Sequence, residues 1–362
     1  MDGAFALIDL SALEHNAMEL RKRLGEFYCV LKCDAYGHGA EKCASRLAAF
    51  GMKRFAVYSL SEAETIRKKV SDSEILILGR TDPALCGEIE ADGFIQTVGS
   101  AEYAEALAKR GKGVKVHIEI DCGMNRWGFK PQALEEWKMP FSKENVTGAF
   151  AHLSCADEKD ISEAKKQISA FNTAADAFEA RFGKTLTRHI SASAGSLRKE
   201  LGTNALSRVG LALYGIVPEN CDGSFLRPVM SFYSQVTGVR KVKNGENVGY
   251  GADHRVSRDS VIATVSGGYA NGIHRGGSGR LAVIVGGERA GSVGNICMDR
   301  FMVDVTDMVE RGKSVREGDE VTFFDGTYGV VNMARECGTI PYEILTSVGR
   351  QNRRIYLSSF KG

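Results

Sequence analysis

Between Phe27 and Arg208 short apolar runs alternate with amphipathic stretches eight times over, and this alternation restricts the fold more than any other feature of the chain. The spacing predicts strands over residues 27–32, 54–58, 75–78, 94–97, 114–120, 146–152, 187–191 and 205–208. Helical patterns fill the gaps at 40–50, 61–70, 101–109 and 161–181. Strand, helix and strand in succession imply parallel pairing through right-handed crossovers, and eight such units suffice to close a (β/α)8 barrel. In a barrel of this kind chemistry is carried at the C-terminal strand ends. Lys32, Arg126, His152, Ser193 and Arg208 all fall at or just after those ends.

The pattern changes near Arg227-Pro228. Beyond it, β-branched and aromatic runs at 232–239, 261–265, 281–285, 302–305 and 320–324 are broken by glycine turns, which predicts a mostly antiparallel β domain with helices confined to 330–337 and 342–348. The short run 5–8 is expected to pair with this second domain. The expected division is therefore a barrel over 9–227 and a β domain over 228–362 joined by strand 2–8. A chain of 362 residues is long enough for both.

A net charge of +2 gives no attraction for polyanions, so nucleic acid is an unexpected partner. No apolar run approaches the roughly 20 residues needed to cross a bilayer. The start carries Asp2 and Asp9 and no basic segment, unlike a signal peptide, so a cytoplasmic protein is expected. Nine cysteines, an odd number without a CxxC pair, point to reduced thiols and to no metal site.

The first strand ends in Val30-Leu31-Lys32-Cys33-Asp34-Ala35-Tyr36-Gly37-His38-Gly39. A lysine at a strand tip has its stem held by packing, and desolvation of its ammonium lowers its pKa and makes it nucleophilic. VLKCDAYGHG closely resembles the pyridoxal-phosphate lysine motif of alanine racemases and their serine-racemising relatives, which are fold-type III enzymes. The resemblance implies that Lys32 carries the cofactor covalently and that Tyr36 helps hold its phosphate.

Further segments resemble the same family in the same order. Ser207 to Gly215 is similar to the strand whose arginine faces the pyridine nitrogen, a role that falls to Arg208, with Gly210 and Leu211 near the phosphate. A guanidinium is always charged and cannot give up a proton, so the ring opposite stays unprotonated and the electron sink stays weak, which favours racemisation. Val265 to Gly272 resembles the loop that supplies the second base, Tyr269, on the face of Cα opposite Lys32. His152 would assist Tyr269 and wall the cofactor. Ser193, in His189-Ile190-Ser191-Ala192-Ser193, would bind the phosphate and His189 would brace Arg208, with Ala192 standing where the family usually has asparagine. Asp121 to Gly128 resembles the loop whose arginine, Arg126, orients the cofactor and the substrate carboxylate. Many relatives carry a carbamylated lysine two residues before that aspartate; here Glu119 would be a built-in anion. Gly294 to Asp299 would bring the Met298 backbone to the substrate, supported by Asp299.

The tail is less similar. An ungapped count places Arg350 where the family has a tyrosine that closes the pocket and touches the phosphate, and a small slip places Asn352 there. Either could hydrogen-bond a hydroxymethyl group, so both alanine and serine stay open as substrates. The tail also resembles the serine/alanine racemase domains of vancomycin-resistance proteins, which are tethered to a membrane domain. The resemblance implies a head-to-tail homodimer in which Tyr269 and Met298 reach the partner, and a role in supplying D-amino acids to peptidoglycan. Two other readings remain: an amino-acid decarboxylase of related fold, which would place a carboxylate where Arg208 stands, and a non-catalytic pyridoxal-phosphate carrier barrel, which would leave the β domain unexplained.

Overall fold

The computed structural model of the chain describes residues 3–202 and 206–358. Residues 2, 205 and 359–362, which bound some of the expected elements, lie outside the described residues. The chain forms two compact units: Leu13–Ala35 with Ala40–Leu226, and the N-terminal residues to Ala12 with Tyr36–Gly39 and Arg227 onward.

After β1 (Phe5–Asp9), which belongs to the second unit, the first unit contributes β2 (Phe27–Val30), β3 (Arg54–Val57), β4 (Glu74–Ile77), β5 (Ile95–Val98), β6 (Lys115–Glu119), β7 (Val146–Phe150), β8 (Thr187–His189) and β9 (Ser207–Val209). Neighbours in sequence pair in parallel from β2 to β8, and β9 pairs with β2. A bridge from His189 to Leu206 links the two remaining edges, so the eight strands close into a ring. β2, β3, β6, β7 and β8 are shorter than their apolar runs suggested, because the last residues of those runs turn into the loops, whereas β4 and β5 keep the expected four residues shifted by one. β2 and β5 are buried along their whole length, as parallel strands covered on both faces must be.

The outer helices form where apolar residues recur at helical spacing. Ser162–Phe182 buries Ala164, Phe171, Ala174, Ala175 and Phe178 on one stripe and stops at Gly183, whose φ of 66° ends the helix in the left-handed region. Burying a phenylalanine such as Phe171 contributes about 1.5–3 kcal/mol. Leu60–Arg67 starts in a capping box of Ser59 and Glu62.

The second unit is built on β10 (Met230–Val242), β11 (Asn247–Val248), β12 (His254–Arg255), β13 (Ser260–Ser266), β14 (Ala282–Val285), β15 (Glu288–Val293), β16 (Arg300–Asp304), β17 (Glu320–Phe324) and β18 (Arg353–Leu357). Its main sheet runs β13-β16-β15-β14-β17-β10-β1-β18, and β10 also pairs with β13. Pairing is antiparallel except between β1 and β18. The short strand near the N-terminus does join this sheet, between β10 and β18. Helices here exceed the two expected: Thr306–Glu310 is a third, short one, alongside Val330–Cys337 and Pro341–Gln351.

Candidate active site

Lys32 lies two residues past the end of β2 and opens a turn whose left-handed backbone the sequence did not foreshadow. Cys33, Asp34, Ala35 and Tyr36 all have φ between 53° and 55°, four consecutive left-handed residues that carry Cβ atoms. Each costs roughly 1–2 kcal/mol, so the turn needs external support. Ala35 N–H donates to Leu31 O at 2.8 Å, Cys33 N–H donates to Glu62 Oε1 at 2.7 Å, and Ala40 N–H donates to Asp34 Oδ1 at 2.7 Å. Glu62 Oε2 also accepts from Tyr58 N–H, so one carboxylate ties the turn to the loop after β3. Burial lowers the Lys32 pKa, and Arg126 and Arg208 lower it further, against Cys33 and Glu62. Among the described residues Lys32 has no ion pair.

Arg208 is buried in the barrel with both terminal nitrogens of its guanidinium bonded. Nη1 meets His189 Nδ1 at 2.8 Å and donates to His189 O at 2.7 Å, while Nη2 donates to Ala151 O at 2.8 Å and meets His152 Nδ1 at 3.1 Å. The plane of Phe150 lies 4.9 Å from its central carbon. These contacts decide proton positions. Arg208 can only donate, so His189 Nδ1 must accept and its proton sits on Nε2. That proton points at His117 Nδ1, 2.8 Å away, which must accept in turn. His152 likewise accepts at Nδ1 and carries its proton on Nε2. All three rings are neutral: burial first, then Arg208, pushes His117 and His152 down to about 3 and His189 well below its ordinary value.

Arg126 sits in a loop shaped by Asp121, whose Oδ1 accepts from Gly123 N–H at 3.1 Å and Asn125 N–H at 3.0 Å, while Lys130 Nζ reaches Oδ2 at 2.7 Å. Gly128, with φ 119°, closes the loop where a Cβ would stand 2.9 Å from Asp121 N. Glu119 is buried at the end of β6, its Oε1 4.0 Å from Arg126 Nη2. Burial pushes the Glu119 carboxyl up to about 7 against the pull of Arg208 and Arg126. Arg208 is brought down to about 10 by burial, with Glu119 opposing, and stays charged.

Ser193 is buried at the start of the helix Ser193–Leu197, and its Oγ accepts from Gly210 N–H at 3.2 Å and Ala212 N–H at 3.1 Å. Ser193 Oγ thus draws the backbone at the start of the 3-10 turn Leu211–Tyr214 against the start of the helix, gathering a hydroxyl and a run of N–H groups, the group types an anionic phosphate needs. The N–H groups of Gly210 and Ala212 are both given to Ser193 Oγ, and Leu211 lies between them. Ala192 begins the helix with no side-chain cap, as expected of a residue without the asparagine amide. The barrel residues therefore bring together a desolvated lysine, a proton-fixed arginine and an anion cradle, which suits a phosphorylated carbonyl-bearing cofactor.

In the second unit Tyr269 begins a 3-10 turn, Tyr269–Asn271, and its side chain is exposed. Tyr269 N–H donates to Cys297 O and Ala270 N–H to Met298 O, both at 3.0 Å, so the Tyr269 and Met298 loops are stitched together. Gly268 permits this approach, because a Cβ there would meet Cys297 O at 2.2 Å. Met298 and Asp299 are exposed, and Met298 N–H has no acceptor among the described residues. Tyr36 falls in this unit, its ring 5.9 Å from that of Tyr342. Arg350 is exposed in the last turn of Pro341–Gln351. Asn352 departs from the expectation of a substrate ligand: Nδ2 donates to Val348 O and Asn271 O, and Oδ1 accepts from Asn271 Nδ2, which occupies both N–H groups within the protein.

Sequence reasoning passed over Glu62, His117 and Ala212. Glu62 had a signal, the Ser-x-x-Glu spacing of a capping box; His117 and Ala212 had none, since their roles arise from strands and turns brought together by folding.

Comparison with known proteins agrees with this geometry. Family models described as alanine racemase, N-terminal domain, and alanine racemase, C-terminal domain, match residues 8–218 and 229–356. Alanine racemase 1 of Clostridium acetobutylicum is 34% identical over 98% of this chain and 95% of its own, and the alanine racemase of Deinococcus radiodurans is 36% identical over 97% and 99%. Among solved structures, the biosynthetic alanine racemase of Pseudomonas aeruginosa superposes with a TM-score of 0.89 at 30% identity, over 99% of this chain and all of the other. The alanine racemase of Bartonella henselae, solved with covalently bound pyridoxal phosphate, gives 0.88 at 28% identity, over 99% and 100%. With both halves of the chain matched by that family's models and its lysine, arginine and tyrosine segments in place, the chain belongs to the alanine racemase family.

Proposed function

We propose that the protein is a pyridoxal-phosphate-dependent racemase that interconverts the enantiomers of alanine, with Lys32 and Tyr269 as opposed bases. The observation that carries the reading is Lys32 beyond the barrel strand end, desolvated and, among the described residues, without an ion pair. Bound covalently, the cofactor supplies the electron sink that makes the substrate Cα–H acidic. Lys32 would hold it, and Ser193 with the backbone at Gly210 and Leu211 would receive its phosphate with help from Tyr36. Arg208, locked by His189 and His152, offers no transferable proton, which keeps the sink weak. Arg126, backed by the Glu119 anion, would orient the substrate carboxylate beside the Met298 N–H. Lys32 moves the proton on one face of Cα and Tyr269, with His152 Nε2–H as a donor, moves it on the other. Desolvation, which favours the neutral amine over the ammonium, suits Lys32 to this task.

In this reading the active enzyme is a head-to-tail dimer, with Tyr269 and Met298 of one copy completing the Lys32 site of the other. Alanine is the substrate favoured by the relatives. A serine preference has less support, because the Asn352 amide is occupied within the protein. The test is solvent deuterium exchange at Cα of L-alanine and L-serine with chiral analysis of the products. Exchange with inversion is expected for L-alanine; exchange with full retention would remove Tyr269 from the mechanism.

A further inference from the structure

We infer that Asn352 is a positioning residue for Tyr269, acting through Asn271; the inference rests on the two-base reading above. The turn that presents Tyr269 is only three residues long, and a short turn of this kind has few internal bonds with which to hold a side chain. Here it is held from two sides. Its backbone is tied to the Met298 loop, as described. On the other side Asn271 folds its amide back, Oδ1 accepting from Gly268 N–H at 3.1 Å, and offers Nδ2 to Asn352 Oδ1 at 2.9 Å. Asn352 returns Nδ2 to Asn271 O at 2.9 Å and to Val348 O at 2.8 Å. The pair is reciprocal, and it fastens the Tyr269 turn to the C-terminal end of the helix Pro341–Gln351.

Close backbone contact reinforces the clamp. Gly272, with φ 82°, ends the turn where a Cβ would lie 2.7 Å from Val348 N and from the Ser347 carbonyl carbon. The turn therefore seats directly on the helix, and Asn352, the residue at which that helix stops, fixes its rotation. These bonds all run within the protein, and their effect is on where the phenol of Tyr269 stands. A displacement near 1 Å of a reacting group can cost about a hundredfold in rate.

The test compares wild type with Asn352→Ala and Asn271→Ala, singly and together, as full-length holoenzyme, using alanine deuterated at Cα. Loosening Tyr269 slows proton transfer at that base alone. Asn352→Ala should lower kcat about ten- to a hundredfold while KM changes less than about twofold. The primary isotope effect should become larger in one direction of racemisation than in the other, since each base serves one enantiomer. Borohydride trapping of the cofactor on Lys32 should be unchanged, and the double variant should be no slower than the worse single one. If Asn352→Ala does not fold, Asn352→Asp keeps the acceptor for Asn271 Nδ2 and loses both donors, and the same asymmetry is expected. Wild-type rates, or a fall in kcat with isotope effects equal in both directions, would overturn the inference while leaving the racemase reading intact. Full activity in Tyr269→Phe would overturn both.

Discussion

Glu119 shows how a single carboxyl can be set by competing neighbours. Two guanidiniums favour its anion, yet burial prevails and its pKa lies at about 7. Below that value Arg126 loses its partner. The acid limb of the kcat/KM profile is therefore expected near pH 7, and Glu119→Gln should flatten it and lower kcat/KM at pH 8 by about tenfold, or about 1.4 kcal/mol. Stability should move the opposite way. The folded state binds more protons than the unfolded one between the ordinary 4.5 and about 7, so unfolding free energy falls as pH rises through that window. Denaturant titrations at pH 5 and pH 7.5 should show this slope in wild type and a smaller one in Glu119→Gln. At Lys32 the expectation is simpler: Lys32→Ala should lose activity by at least about a thousandfold and no longer retain cofactor after borohydride treatment and denaturation.

At the scale of elements, the left-handed turn after β2 depends on a cap borrowed from another helix. Glu62→Ala removes the capping box of Leu60–Arg67 and the acceptor of Cys33 N–H together. The loss should be about 1–2 kcal/mol. Glu62→Gln, which keeps one acceptor, should lose less; equal thermal melts for Glu62→Ala and wild type would show that the turn stands unaided. This turn also marks where the sequence stopped being readable. The barrel strands could be read because parallel strands must be apolar on both faces, and their order follows from alternation alone. Lys32, Arg126, Ser193 and Arg208 could be placed because strand ends are where such a barrel keeps its polar groups. Four left-handed residues without glycine among them leave no local signature, since the bonds that force them come from Leu31, Glu62 and Ala40. The hairpin of β14 and β15 was legible in principle: Gly286 and Gly287, with φ 55° and 82°, are the two-residue turn that glycine pairs favour. The amide pair of Asn271 and Asn352 was not, because nothing in either segment names the other.

For the molecule as a whole, the proposed site needs two copies of the chain. Mixing Lys32→Ala with Tyr269→Ala protomers, each inactive alone, should restore up to about a quarter of wild-type activity per mixed population if sites are shared between subunits. No recovery after subunit exchange would place Lys32 and Tyr269 in one chain. The second unit itself is assembled from both ends of the polypeptide: β1 lies between β10 and β18, and Arg354 Nη1 donates to Gly37 O across 317 positions of sequence at 3.2 Å. Such closure is slow. On the ribosome the first strand must therefore wait for β10 before it has one neighbour and for β18 before it has both, and Gly37, just after the lysine, waits for Arg354. A nascent chain should hold a finished barrel well before β18 arrives to complete the sheet of the second unit, and the interval between the two is the one in which chaperones matter most.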